Sequence, residues 1–270
     1  MKCKVDKGDV YYEVYGEGYP LLILHSMGAD HRSMKSWIEP LCKEKNNIQR
    51  IYIDIPAHGK SSIDSSVKSS DDILSNILAF IGKIIGDNPL SILGHSYGGY
   101  LAQGILYHYA EQIKGICLIA PILHIKEKQL PPKEIFDKDS KLISELDLHV
   151  KKAFETLFTY QNELSLKRFL DEVQPGRLLA NQSFLASDWR EKGYFFSVDP
   201  LLDSPETYTF PSLFITGRND FICGYEDHLF LMNKFQNSTF ITLDRTGHMI
   251  HIEKREIVQT LLEDWFVTLV

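Results

Sequence analysis

The sequence predicts an α/β fold: a mostly parallel sheet flanked by helices, with a helical cap inserted into it. Three observations predict this. The continuous apolar run at 20–24 reads as a strand buried on both faces, and 48–55 and 113–120 read as further strands, the latter also buried. They alternate with stretches of helical period, as βαβ units do. The alternation stops between about 121 and 205, where no apolar strand run occurs, and then resumes.

Taken in order, residues 9–15 alternate and form a strand after a turn at Lys7-Gly8, and Gly16-Glu17-Gly18 is a second turn. The 20–24 strand ends at His25-Ser26-Met27-Gly28, and 37–42 reads as a helix. Residues 48–55 form the next strand, followed by Pro56-Ala57-His58-Gly59-Lys60-Ser61. Asp71-Asp72 open a helix to about Ile85, with Ile73, Ile77, Phe80, Ile81 and Ile84 on its apolar face. Acidic residues in a first turn suit the helix dipole. A strand at 90–93 and a helix over 100–109 follow, then the 113–120 strand. Helical stretches are expected near 139–160, 162–173 and 176–190. The sheet resumes with a strand at 211–217, a helix near 227–234, a strand at 238–243 and a last helix over about 254–269. The expected division is a core of 1–121 and 206–270 and a cap of 122–205, inserted after the sixth strand.

Composition narrows the function classes. The 270 residues carry a formal net charge of −7 with the charges interspersed, which argues against a nucleic-acid surface. The first residues are polar, so no signal peptide is visible, and no run approaches the ~20 apolar residues of a membrane span. Cys3, Cys42, Cys117 and Cys223 lie far apart without a C-x-x-C and read as reduced thiols of a cytoplasmic protein. The histidines form no metal-binding spacing, so no metal and no cofactor is expected. The expected partner is a small-molecule substrate, and the chain is taken as a monomer or homodimer.

The chemistry centres on Gly94-His95-Ser96-Tyr97-Gly98, a G-x-S-x-G placed between a strand and a helix. A tight turn there lifts a serine clear of the sheet and frees the following amide. Serine is a weak nucleophile until a base takes its proton, and the base needs an orienting acid. Two later strand ends supply candidates: Gly217-Arg218-Asn219-Asp220 and Asp244-Arg245-Thr246-Gly247-His248. The order is Ser96, Asp220, His248. Asp244 and Glu253 rival Asp220 by proximity to His248 in sequence. Gly59-Lys60-Ser61 mimics the end of a P-loop, but Asp54 stands where that motif needs glycine.

With these motifs the sequence strongly resembles the α/β-hydrolase family over nearly its whole length. Asp54-Ile55-Pro56-Ala57-His58-Gly59-Lys60-Ser61 resembles the family's D-x-P-G-H-G-x-S segment, with Ala57 for glycine. His25-Ser26-Met27-Gly28 resembles its H-G-x-x loop, with Ser26 for glycine. The resemblance implies a Ser96–Asp220–His248 triad and an oxyanion hole made by the backbone amides of Met27 and Tyr97. The family sometimes places its acid after the preceding strand, where this chain reads Ala120-Pro121-Ile122 and has no carboxylate.

The leading expectation is a carboxylesterase-like serine hydrolase acting on a small, partly apolar ester through an acyl-enzyme on Ser96. Cleavage of a carbon–carbon bond, or of an amide or N-terminal peptide bond, on the same triad is the alternative. Relatives of those kinds resemble G-N-S-M-G-G and G-G-S-W-G, and His95 and Tyr97 differ from both. A non-catalytic ligand receptor on this scaffold is the third reading, against which the intact Ser, Asp and His set argues. The cap's aromatics, Phe154, Phe158, Tyr160, Phe169, Phe184, Trp189, Tyr194, Phe195 and Phe196, are expected mostly to pack it onto the sheet, with a minority lining a pocket.

Overall fold

Apolar runs that cannot face water pair with one another. In the computed structural model, which describes residues 1–42, 47–204 and 206–269, they form one sheet. Its strands are β1 (Lys2–Val5), β2 (Gly8–Tyr15), β3 (Tyr19–Leu24), β4 (Ile48–Ile53), β5 (Ser62–Ile63), β6 (Leu90–His95) and β7 (Ile113–Ile119). A separate two-stranded pair, β8 (Asp137–Lys138) with β9 (Tyr160–Gln161), lies in the inserted region, and β10 (Ser212–Gly217) and β11 (Ser238–Leu243) complete the main sheet. The main order is β1-β2-β4-β3-β6-β7-β10-β11. From β4 to β11 all neighbours are parallel; β1 and β2 are antiparallel at the edge, where β5 also pairs with β2.

Side chains alternate across each strand, so each parallel strand feeds two cores. On one face Leu22, Leu24, Ile92, Ile116 and Leu118 pack with α2 (Ser70–Ile84) and α3 (Tyr97–His108) through Ile77, Phe80, Leu101 and Ile105. On the other, Leu21, Ile23, Leu93, Cys117 and Ile119 meet α1 (Arg32–Ile38) and the C-terminal helix through Met34, Trp37, Val258 and Leu262. The register sets Leu24 beside Ile53 and Gly94, His95 beside Ile119, and Gly217 beside Leu243, so the loops after these strands emerge from one edge of the sheet. An open parallel sheet places its site there.

The inserted region holds α4 (Ser140–Ser144), α5 (Leu148–Leu157), α6 (Glu163–Arg168), α7 (Gln174–Leu179), α8 (Gln182–Leu185) and α9 (Trp189–Lys192). A π-helical turn, Phe169–Val173, joins α6 to α7. The region has an apolar centre of its own in Ile143, Phe154, Phe158, Leu166, Phe169 and Val173. After it come α10 (Leu231–Lys234), α11 (Ile250–Glu253) and α12 (Arg255–Val267).

Several boundaries differ from the sequence expectation. The insertion follows the seventh strand in chain order, not the sixth: neither β1, with two buried residues, nor the two-residue β5 has an apolar run to reveal it. Its expected last residue, Pro205, and the final Val270 lie outside the described residues. The helix expected at 37–42 starts earlier, as α1, and 39–41 is a 3₁₀ turn, because Pro40 has no amide to continue an α-helical ladder. The long helical stretches of the insertion are broken where side chains start new helices: Asp139 accepts from the Leu142 amide, Asn162 from Ser165 and Asn181 from Phe184. The helix expected near 227–234 is a 3₁₀ turn at Glu226–His228 and then the short α10. Ser69, not the acidic pair, caps α2, in a reciprocal box with Asp72.

Candidate active site

The strand β6 stops at His95 and α3 begins at Tyr97, leaving Ser96 alone at the turn with φ 55° and ψ −114°. A non-glycine residue there is strained, and the surroundings must hold it. They do: the Ser96 amide donates to Ile119 O (2.9 Å), and Ser96 O accepts from the Tyr100 (3.0 Å) and Ile122 (3.2 Å) amides. The flanking glycines are required sterically. A Cβ on Gly94 would lie 2.5 Å from Gly98 O, and one on Gly98 would lie 2.5 Å from both Leu24 O and His25 O. The same close approach brings the loop after β3 against the serine turn.

The loops after β10 and β11 carry the other two groups. Ser96 Oγ donates to His248 Nε2 at 2.9 Å, and His248 Nδ1 donates to Asp220 Oδ2 at 2.9 Å. Asp220 Oδ1 accepts from the amides of Ile222 (2.9 Å) and Cys223 (3.0 Å), which fixes the carboxylate plane. All three residues are buried. Burial pushes the Asp220 carboxyl up, but the facing His248 and the two amides outweigh it and hold its pKa below the usual range. Burial alone would push His248 down; the Asp220 charge, with a contribution from Cys223, reverses the sign and raises it. His95, whose ring lies 5.3 Å from that of His248, is driven down to about 3 by burial and by His248, so it stays neutral. Its Nε2 lies 3.3 Å from His248 O, a support for the loop.

The carboxylate that bonds the histidine ring is that of Asp220, not of either rival. Asp244 is exposed, and its main-chain carbonyl accepts from Thr246 Oγ1. Glu253 is half-buried and accepts from the amides of Gly247 and Thr159, both at 2.7 Å, and from Thr159 Oγ1 at 2.9 Å. It thus ties the inserted region to the loop that carries His248. Removing it strands buried donors, each costing about 1–3 kcal/mol. Glu253→Ala is therefore expected to lower the urea midpoint of unfolding by an amount equivalent to at least ~1 kcal/mol; an unchanged midpoint would show that the tie does not matter.

The amides of Met27 and Tyr97 donate to no other group among the described residues. Ser26, where the family pattern has glycine, keeps negative φ; Gly28 carries the left-handed turn at φ 75°. His25 Nδ1 donates to Ser26 O (2.7 Å) while its Nε2 accepts from the Ile55 amide (2.9 Å), joining the two loops. Asp54 accepts from the His31 amide and ring and from the Lys60 amide. A Cβ on Gly59 would fall 2.2 Å from Asp54 Oδ2, so Gly59-Lys60-Ser61 is a carboxylate-anchored turn. Ala57 holds φ 71° there without being glycine.

Two features escaped the sequence. Tyr97 OH donates to Ser70 Oγ (2.9 Å), which donates to Tyr194 O (2.6 Å), linking the serine turn to α2 and the inserted region. Cys223 lies beside the Asp220–His248 pair. Both depend on where loops return, which no local spacing records. Of the aromatics, Phe154, Phe158 and Phe169 fill the inserted region's own core; Phe184, Trp189 and Phe196 pack towards α2 and α3; Tyr194 and Phe195 are half-buried.

This fold and this arrangement of serine, histidine and aspartate define an α/β-hydrolase, and the chain is an enzyme of that superfamily. A family model described as serine aminopeptidase, S33, matches residues 21–255, and the chain belongs to that family. It is similar to a crystallised alpha/beta superfamily hydrolase from Oenococcus oeni, with 30% identity, a TM-score of 0.85 and 96% of each chain covered. It is 25% identical to a pimeloyl-[acyl-carrier protein] methyl ester esterase of Shewanella woodyi, over 95% of this chain and 97% of that protein. It is 24% identical to a proline iminopeptidase of Pestalotiopsis fici, over 94% of this chain and 95% of that one. No helix among the described residues is long and apolar enough to cross a membrane.

Proposed function

We propose that this hydrolase cleaves the carboxylic ester of a small, partly apolar substrate through an acyl-enzyme on Ser96. The observation that carries the reading is the unbroken chain from Ser96 Oγ to His248 Nε2 and from His248 Nδ1 to Asp220. His248 takes the serine proton as Oγ attacks the carbonyl carbon. Asp220 keeps the imidazole proton on Nδ1 and stabilises the imidazolium that forms. The amides of Met27 and Tyr97 receive the oxyanion; one such donor typically contributes about 3–4 kcal/mol to the transition state. His248 then hands its proton to the leaving alkoxide. A water, activated by the same imidazole, hydrolyses the acyl-enzyme. Every step uses side chains, backbone amides and water.

In this reading residues 122–205 are a cap over a core of 1–121 and 206–270, and Tyr194 and Phe195 are the aromatics placed to meet the substrate. We place the enzyme in the cytoplasm, as a monomer or homodimer without a nucleic-acid partner. Peptide-bond cleavage is the second reading, favoured by the iminopeptidase likeness and by the family's description.

A p-nitrophenyl ester series from acetate to octanoate, set beside proline p-nitroanilide, decides between them. Ester turnover with one chain-length optimum, far above anilide turnover, is the expected result. Anilide turnover with inert esters would replace the ester reading by the peptide one.

A further inference from the structure

Among the described residues, two clusters offer three metal-ligating side chains with ligand atoms within 4.8 Å of one another: Asp30, His31 and Asp54, and Asp220, Cys223 and His248. The first is already committed. Both Asp30 oxygens receive the Arg32 side chain, and Asp54 receives the His31 ring, its amide and the Lys60 amide. His31 Nε2 faces Glu13 at 3.1 Å. A cation there would have to displace a full set of donors.

The second cluster differs in donor chemistry. Imidazole, thiolate and carboxylate are the ligand types of zinc, and three protein ligands with one open position are a common zinc arrangement. A tetrahedral zinc with bonds of about 2.0–2.3 Å spaces its ligand atoms about 3.3–3.8 Å apart; the three ligand atoms already lie within 4.8 Å of one another, and the 2.9 Å between His248 Nδ1 and Asp220 Oδ2 would open to admit the ion. Charge also balances. A divalent ion with a thiolate, a carboxylate and a neutral imidazole is electrically neutral, which suits a buried site. The outer supports exist: Asp220 Oδ1 is held by the Ile222 and Cys223 amides, and His95 bonds the His248 carbonyl.

We propose that Asp220, Cys223 and His248 form a zinc-binding site whose occupation switches the hydrolase off. The Cys223 thiol gives its proton to solvent and its sulfur binds the metal. The metal takes the place of the proton between His248 Nδ1 and Asp220, and that ring proton passes through solvent to Nε2. With Nε2 protonated, His248 can no longer accept from Ser96 Oγ. No redox change occurs, and a chelator reverses the step. Metal binding stands independently of the ester reading; only the inhibition rests on it.

The test uses the chelator-treated full chain. Cobalt(II), as the spectroscopic probe, is expected to give a thiolate-to-cobalt charge-transfer band at one ion per chain, absent in Cys223→Ser. Zinc(II) is expected to suppress both ester turnover and fluorophosphonate labelling, each restored by EDTA. In Cys223→Ser the half-inhibiting zinc concentration should rise by more than about 10–100-fold, the loss that changing even an outer support causes. Inhibition is scored against each variant's own zinc-free rate, and Cys223→Ala replaces Cys223→Ser if the latter does not fold. An absent cobalt band, or zinc inhibition equal in wild type and variant, overturns the proposal. A thiolate band in a protein inert to every ester and to the label would uphold the metal site while removing the esterase reading.

Discussion

Ser96→Ala is expected to lower kcat on the best p-nitrophenyl ester by at least about 10³-fold and up to about 10⁶-fold, the range over which loss of a nucleophile leaves only binding and oxyanion stabilisation. The substitution removes one buried oxygen. It keeps the same backbone, so the introduced alanine must hold the left-handed φ of 55° that Ser96 holds. The hydrogen bonds that brace this turn come from main-chain groups, Ile119, Tyr100 and Ile122, and survive the change. Folding should therefore be nearly untouched while turnover collapses. In the proposed mechanism the three side chains act as one unit, so Ser96→Ala combined with His248→Ala should cost little more than either alone. A product of the two single effects would mean that the histidine works on something other than this serine.

Asp220→Asn is expected to cost about 10⁴-fold in kcat, with a change in pH dependence that a packing defect would not give. The Asp220 carboxylate raises the His248 pKa against the effect of burial. In the proposed mechanism His248 is the base and works only when neutral, so wild-type activity is expected to rise as pH climbs through that raised value. Asparagine carries no charge and leaves burial to act alone. The His248 pKa then falls, and the acidic limb of kcat/KM moves to lower pH. The asparagine amide can also offer an N–H to Nδ1, which pushes the ring proton onto Nε2, the wrong tautomer for a base. A profile of kcat/KM against pH for both proteins checks this. An unmoved limb would assign the base to another group.

How much of this was legible in the sequence follows from where each interaction lies along the chain. The doubly buried strands were readable because burial on both faces leaves runs such as Leu21-Leu22-Ile23-Leu24 with no polar residue. β1 was not, since only Cys3 and Val5 of it are buried, and β5 is two residues long. The serine turn was readable because its two glycines answer local clashes that the sequence itself must satisfy. Asp220 and His248 stood out because they end strands of recognisable kind, and the structure brings them within hydrogen-bond distance of each other and His248 within that distance of Ser96. Glu253 illustrates the limit. Its three bonds to Gly247 and Thr159 depend on the inserted region folding back over the loop, and spacing alone made it a rival acid. Cys223 is the sharper case: its contact with His248 spans loops from two strands, and a lone cysteine gives no pattern to read.

The claim on which the rest stands is that Ser96 is a nucleophile activated by His248. The most direct measurement is the site of covalent labelling by a fluorophosphonate, located by peptide mass spectrometry. The account predicts one adduct per chain on Ser96 and none in His248→Ala under the same brief exposure. A different labelled residue, or full ester turnover in a protein that takes no label, would contradict it.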